Sequence, residues 1–321
     1  DDILTEAEQS LLTQDGGVFS LSSESTLEVD KDTIEENTAN AGSVVQCTSS
    51  TGSPSVISHV TFLRNRATSG NSELTGEATI KLLSCHLKMQ TVTFDSNLAD
   101  VKSAGVFSIA SQIEIEDSTF RNQGNSNMAA FLSVATDSAL TLSNVTFTNG
   151  EGSMGGAILA SQASSLHIND CTFQDLSAET GGAIYSLNTQ VVSIERSTFA
   201  ENSAWGFASD LYINGSPKLT LSSQVKFLGS NLTGKVFASR IGVFNAQDIH
   251  FVVQEASNEN PQRALQVGDN DQDQKDITIA VGSLAALTVE RYESATLLDS
   301  QFIEMAAENG GALRLDNSDL R

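Results

Sequence analysis

The chain has 321 residues and carries 40 Asp and Glu against 17 Lys and Arg, a formal net charge of −23. That acidity excludes nucleic acid and anionic membrane surfaces as partners, because no basic stripe or tail is present to neutralise phosphate. No run of about 18 apolar residues occurs, so the chain is not expected to span a membrane.

Neither an initiator Met nor a leader stands before Asp1, so the chain is expected to start at a processing site or inside a longer protein. Thr5-Glu-Ala-Glu8 reads as a capping box, and Ile3, Leu4, Ala7, Leu11 and Leu12 recur at helical spacing. Residues 1–15 are therefore assigned to an N-terminal helical cap, which would shield the first coil from edge-on association.

From residue 16 to 321 a single repeat governs the chain. Phe120, Phe147, Phe173 and Phe199 are 27, 26 and 26 residues apart. Ile34, Phe62, Phe94, Phe227, Phe251 and Phe302 fall near the same beat. The interval from Phe251 to Phe302 is 51 residues, which reads as two periods with a weak turn at Ile277 to Ile279. Gly156, Gly182 and Gly234 each precede the next anchor phenylalanine by 17 residues, whereas the run from an anchor to the following repeat glycine varies. A unit this short cannot bury a core alone, so neighbouring units must stack.

Inside one period the pattern is that of strands. Gly181-Gly-Ala-Ile184 suits a tight bend into a strand, and Val191 to Ile194 alternates apolar and polar. Aliphatic residues stand five positions before the anchor (Ile57, Met89, Ile115, Leu142, Ile168, Ile194, Leu297) and seven before it (Leu87, Ile113, Leu140, Leu166, Val192). Two positions apart in a strand, they share a face. Three strands, two corners and one elastic loop make the period. The fold class is all-β, a right-handed single-stranded parallel β-helix of about eleven coils, expected to continue past residue 321. Asn37, Asn65, Asn97 and Asn202 follow the anchor by three residues, and Asn122, Asn149 and Asn231 lie one position off. They are read as turn residues bridging stacked coils, with Ala39, Ala67, Ala99, Gly152, Ala178 and Ala204 fitting beneath.

Phe199-Ala-Glu-Asn202, Gly155-Gly-Ala-Ile158, Gly181-Gly-Ala-Ile184 and Gly310-Gly-Ala-Leu313 carry a resemblance to the repeats of chlamydial polymorphic membrane proteins. They also resemble repeats in large surface proteins of protists and pectin-lyase-like surface β-helices. The resemblance covers most of the chain, with the full double motif in a few coils. It implies a β-helical surface or adhesive region. The membrane-embedded barrel of the bacterial family is not among these residues.

Catalysis on such a scaffold needs carboxylates gathered on one face. Asp170, Asp175 and Asp210 are the carboxylates to offer, but none shares a face with another and a base, so no enzyme is expected. His59, His86, His167 and His250 occupy four different phases. Asp269, Asp271 and Asp273 alternate as in a calcium loop and are the one metal candidate. Gln274 stands where an EF-hand has Gly and Ala280 where it has Glu, so an exposed acidic insertion is the competing reading. Cys47, Cys85 and Cys171 form an odd set at differing offsets and are read as buried free thiols. Trp205, in the elastic loop, is read as packing that loop against its neighbour, with sugar stacking as the alternative. Asn144, Asn214 and Asn231 head glycosylation sequons, Asn214 being weakened by Pro217.

The function expected is a non-catalytic extracellular or cell-surface β-solenoid, structural or adhesive, within a larger protein or assembly. The alternative is a carbohydrate-binding or carbohydrate-cleaving β-helix. Partners are expected to be proteins or further copies meeting the open C-terminal end, and a glycan ligand stays open.

Overall fold

The computed structural model describes residues 18–22, 25–39, 42–49, 53–68, 78–99, 103–126, 129–229, 234–253, 287–303 and 313–316. The proposed cap over 1–15 lies outside them. Among the described residues every regular element is a strand, and every strand pairing is parallel, as a coil that always advances in one direction requires. The expectation of an all-β parallel β-helix holds.

Each coil repeats a fixed order, seen in Ile158–Ser161, Ser165–Asn169 and Thr172–Gln174. Each of these strands pairs with its counterpart one coil on: Ile184–Leu187, Val191–Glu195 and Thr198–Ala200. The elastic loop was expected to be irregular. In several coils it instead holds a fourth short strand, as in Ser177–Thr180 against Ser203–Phe207. The stacked loop backbones are close enough to exchange the hydrogen bonds they would otherwise leave unmade.

Corners are turned by left-handed residues arranged in columns. Asp117, Asn144, Asp170 and Arg196 turn the chain before the anchor strand, Asn122, Asn149, Asp175 and Glu201 after it, and Asp137, Gln162 and Asn188 after the first strand, all with φ between 45° and 59°. Most have a short polar side chain that tolerates this region. Gly181 turns the fourth corner at φ 64°, and Gly182 lies so close to the next coil that a Cβ would stand 2.1 Å from the Ser209 carbonyl oxygen.

The core is a set of ladders. Phe62, Phe94, Phe120, Phe147, Phe173, Phe199, Phe227 and Phe251 are fully buried and form one continuous stack with centroids 4.4 to 5.1 Å apart. The aliphatics five and seven residues earlier in the same coils are buried beside them, apart from Leu297, which is half-buried. Each stacked pair contributes about 0.5–1.5 kcal/mol beyond its burial.

Three expectations need correction. Among the described residues the anchor ladder has ten strands rather than eleven, because Phe251 pairs directly with Phe302. The long interval is therefore a single step of the described ladder, and Ile277 to Ile279 lie outside the described residues. Cys47 and Cys85 are joined in a disulfide, with Cα atoms 6.3 Å apart, leaving Cys171 as the buried free thiol. Offsets from the anchor hid this pair. Leu82 is the register partner of Cys47, and the corner at Ser84 swings Cys85 back toward it. Trp205, finally, does not pack its loop down: it is 67% exposed.

Candidate functional site

Two local departures from the repeat stand out, and they adjoin. The first is on the outside. Phe107, Ser133, Leu159, Tyr185, Tyr212 and Phe237 are register partners through successive coils, on the alternate side of the strand from the interior ladders; Tyr185 and Tyr212 are half-buried and the other four are buried. The last three stack face to face, with centroids 4.9 and 4.8 Å apart. Phe207, from the loop strand Ser203–Phe207, sits 6.4 Å from Phe237, and Trp205 projects from that strand into solvent. Burial, and then the neighbouring Tyr212, push the Tyr185 phenol above its ordinary value. Asn214 donates to the Tyr212 hydroxyl oxygen at 3.3 Å. The outcome is a short aromatic stack, buried at Phe237 and half-buried at Tyr185 and Tyr212, with the exposed Phe207 and Trp205 on the neighbouring loop strand.

The second departure is inside. Ala157, Ala183, Asp210 and Lys235 form one column, each N–H donating to the next carbonyl. Where two coils place a methyl group, the next two place opposite charges. Asp210 is fully buried, with Lys235 Nζ 3.5 Å from its Oδ2 and Asn202 Nδ2 2.8 Å from its Oδ1. Burial pushes the Asp210 carboxyl above its ordinary value, and Lys235 and Asn202 partly offset this. Asn202 is itself a ladder residue: its Nδ2 also donates to Phe173 O at 3.1 Å, and its Oδ1 accepts from Leu176 N–H at 3.0 Å. Asn65 behaves alike, donating to Ile34 O at 2.8 Å and to Asn97 Oδ1 at 3.0 Å. Asn202 donates instead to Asp210, eight residues on in the chain.

Residues 84–234 match the family model of the right-handed β-helix region. The chain carries a right-handed β-helix. No curated protein and no solved structure matches it. The matched span and the coil architecture fit the pectin-lyase-like β-helix superfamily. Both departures lie within the matched span, save for the column's last residues, Lys235 and Phe237.

On this β-helix the three candidate carboxylates occupy separate environments. Asp170 is an exposed corner residue held by Arg196 Nε at 3.0 Å and Asn169 Nδ2 at 2.8 Å. Asp175 is exposed at the following corner and accepts from Gln174 at 3.0 Å. Asp210 is internal. His59, His86 and His250 each meet a different carboxylate, on Asp30, Glu114 and Asp248. Asp269, Asp271 and Asp273 lie outside the described residues, as does Asn231. Asn144 is an exposed corner residue, its Nδ2 donating to Asp117 at 2.8 Å. Asn214 is half-buried, and the Ser216 of its sequon is fully buried with its hydroxyl on Thr189 O.

Sequence reasoning singled out Asp210 and Asn202 but missed Lys235 and the aromatic strip. Laying Ala208-Ser-Asp-Leu211 and Gly234-Lys-Val236 under Gly181-Gly-Ala-Ile184 would have placed all three coils in phase and exposed the charged column. The strip could have been found the same way, since Tyr185, Tyr212 and Phe237 each follow the coil's first inward aliphatic.

Proposed function

We infer that this β-helix is a non-catalytic segment of an extracellular or cell-surface protein, structural or adhesive in role, and that its adhesive face is formed by the exposed Trp205 and Phe207 with the half-buried Tyr185 and Tyr212, backed by the buried Phe237. The observation that carries this reading is the exposed indole of Trp205, with the exposed Phe207 two residues on in the same loop strand. Apolar surface gathered in one place marks contact with another molecule, and Trp and Tyr are the residues that most often anchor such contacts. The Cys47–Cys85 disulfide supports export, since such bonds persist in oxidising compartments. The Phe-x-x-Asn and Gly-Gly-Ala repeats support kinship with the surface proteins they resemble. A non-catalytic role is supported by the separate partners of Asp170, Asp175 and Asp210.

The same exposed indole favours one second reading, that the strip binds carbohydrate by stacking on sugar rings. The test is adhesion of the purified protein to arrayed glycans and to extracellular matrix proteins, with Trp205→Ala alongside. Matrix binding lost in Trp205→Ala at unchanged circular dichroism is the expected result. Glycan binding lost in that variant would move the assignment to the second reading. Turnover of any polysaccharide, or binding that ignores Trp205, would overturn the proposal.

A further inference from the structure

We propose that Lys235 and Asn202 are joined by a self-formed isopeptide bond, made through Asp210, that ties two successive coils together. The geometry assigns each group a task. Lys235 Nζ and Asn202 Nδ2 sit against the two oxygens of a single buried carboxylate, at 3.5 and 2.8 Å. Asn202 and Asp210 are fully buried and Lys235 is nearly so, so water does not compete with the amine as nucleophile. The Asn202 carbonyl oxygen already accepts the Leu176 N–H at 3.0 Å, a fixed donor aimed where negative charge would develop. Lys235 Nζ is held on its other side by Leu228 O at 3.2 Å.

The step balances without any co-reactant. Nζ gives up a proton to Asp210 Oδ2 and, as the free amine, adds to Asn202 Cγ. The oxyanion on Oδ1 is met by Leu176 N–H. Asp210 passes that proton on to Nδ2, the Cγ–Nδ2 bond breaks, and the leaving ammonia takes the second Nζ proton by way of Asp210 and departs as ammonium. An alkylammonium and a carboxamide become one secondary amide and one ammonium, and nothing is oxidised or reduced. A buried ammonium is removed in the process, and with it the desolvation cost of an ion held in the core. Asn65 and Asn97 make the same ladder contacts, but the residue Asn65 donates to is another asparagine, so the reactive set is assembled at Asn202.

The experiment is the intact mass of the denatured full chain, followed by peptide mapping. The expected mass is lower than that of the sequence by one ammonia, beyond the two hydrogens of the disulfide. The expected map shows a branched fragment joining the peptides of Asn202 and Lys235. Asp210→Asn is expected to restore the ammonia and release both peptides. A wild-type chain lacking only the two hydrogens overturns the proposal, whatever the variants do. So does an ammonia loss that maps to Asn149-Gly150, Asn214-Gly215 or Asn309-Gly310, where succinimide formation has the same mass signature. Full cross-linking in Asp210→Asn would overturn the part given to Asp210.

Discussion

Phe173 and Phe199 lie face to face, their ring centroids 4.7 Å apart and their planes within 3° of parallel. The strands that carry them pair in register, so the backbone ladder sets the ring spacing. Coil pitch and aromatic stacking therefore support one another, and a residue that breaks the stack also loosens the ladder.

Replacing Phe173 with alanine removes one ring from the middle of that column and leaves a cavity between Phe147 and Phe199. The expected cost is about 3–5 kcal/mol. Because stacked repeats can open locally, hydrogen exchange is the better readout. Protection should fall first in Thr146–Gly152, Thr172–Gln174 and Thr198–Ala200. Uniform loss along the whole chain would contradict a nearest-neighbour solenoid.

The disulfide closes a span of 38 residues between coils near the N-terminal end. Its chain-entropy contribution is about 4 kcal/mol. Reduction should expose the strands Gly42–Thr48 and Ala78–Leu83 to exchange while leaving Thr198–Ala200 protected. Burial pushes the Cys171 thiol up to about 12, so it should resist alkylation in the native state and be the single thiol labelled on unfolding without reductant. Two labelled thiols beyond Cys171 would exclude the bond.

Two carboxylates give opposite pH dependences. Partial burial works against ionisation of Asp95, but hydrogen bonds from Asn122 and Ser96 and the Arg121 charge hold it below its ordinary 3.8. Its stabilisation is present above that value and is lost as pH falls through the depressed one. Asp210 is raised above 3.8, so the folded chain keeps a proton that the unfolded chain releases. Its contribution is complete at low pH and declines as pH rises toward the raised value. Melting temperatures followed from about pH 3 to about pH 7 test both. Asp95→Asn should flatten the acid-side loss and Asp210→Asn the decline above it. Unchanged slopes in both variants would refute the assignment.

Glycosylation should separate Asn144 from Asn214. In material exported by a eukaryotic cell, the exposed corner at Asn144 is expected to carry glycan. Half-burial of Asn214 and full burial of Ser216 leave no room there for a sugar. Glycopeptide analysis with Asn214 occupied and Asn144 bare would reverse that order.

Inward positions were legible because the interior of a stacked coil imposes the same demand each time. Phe at the anchor, with aliphatics five and seven residues before it, announces strand, face and period together. Cys47 and Cys85 were not legible, because their contact is made between neighbouring coils at different offsets and around a corner. The eleventh coil was an accident of length, an interval that happened to match two periods. Trp205 misled for a related reason: the loop strands pair in register only up to Ala178 and Ala204 and then shift, so nothing in the spacing says whether the next side chain points in or out.

The pairing of Phe251 with Phe302 has a further meaning. Fifty-one residues separate them in sequence, yet they occupy adjacent rungs, and the strands above and below keep their register. Extra chain length between rungs is thus decoupled from the pitch. Closing a longer excursion costs only about 0.6 kcal/mol for each doubling of its length. Such a scaffold can exchange what it displays at its side while the column that holds it up stays unaltered.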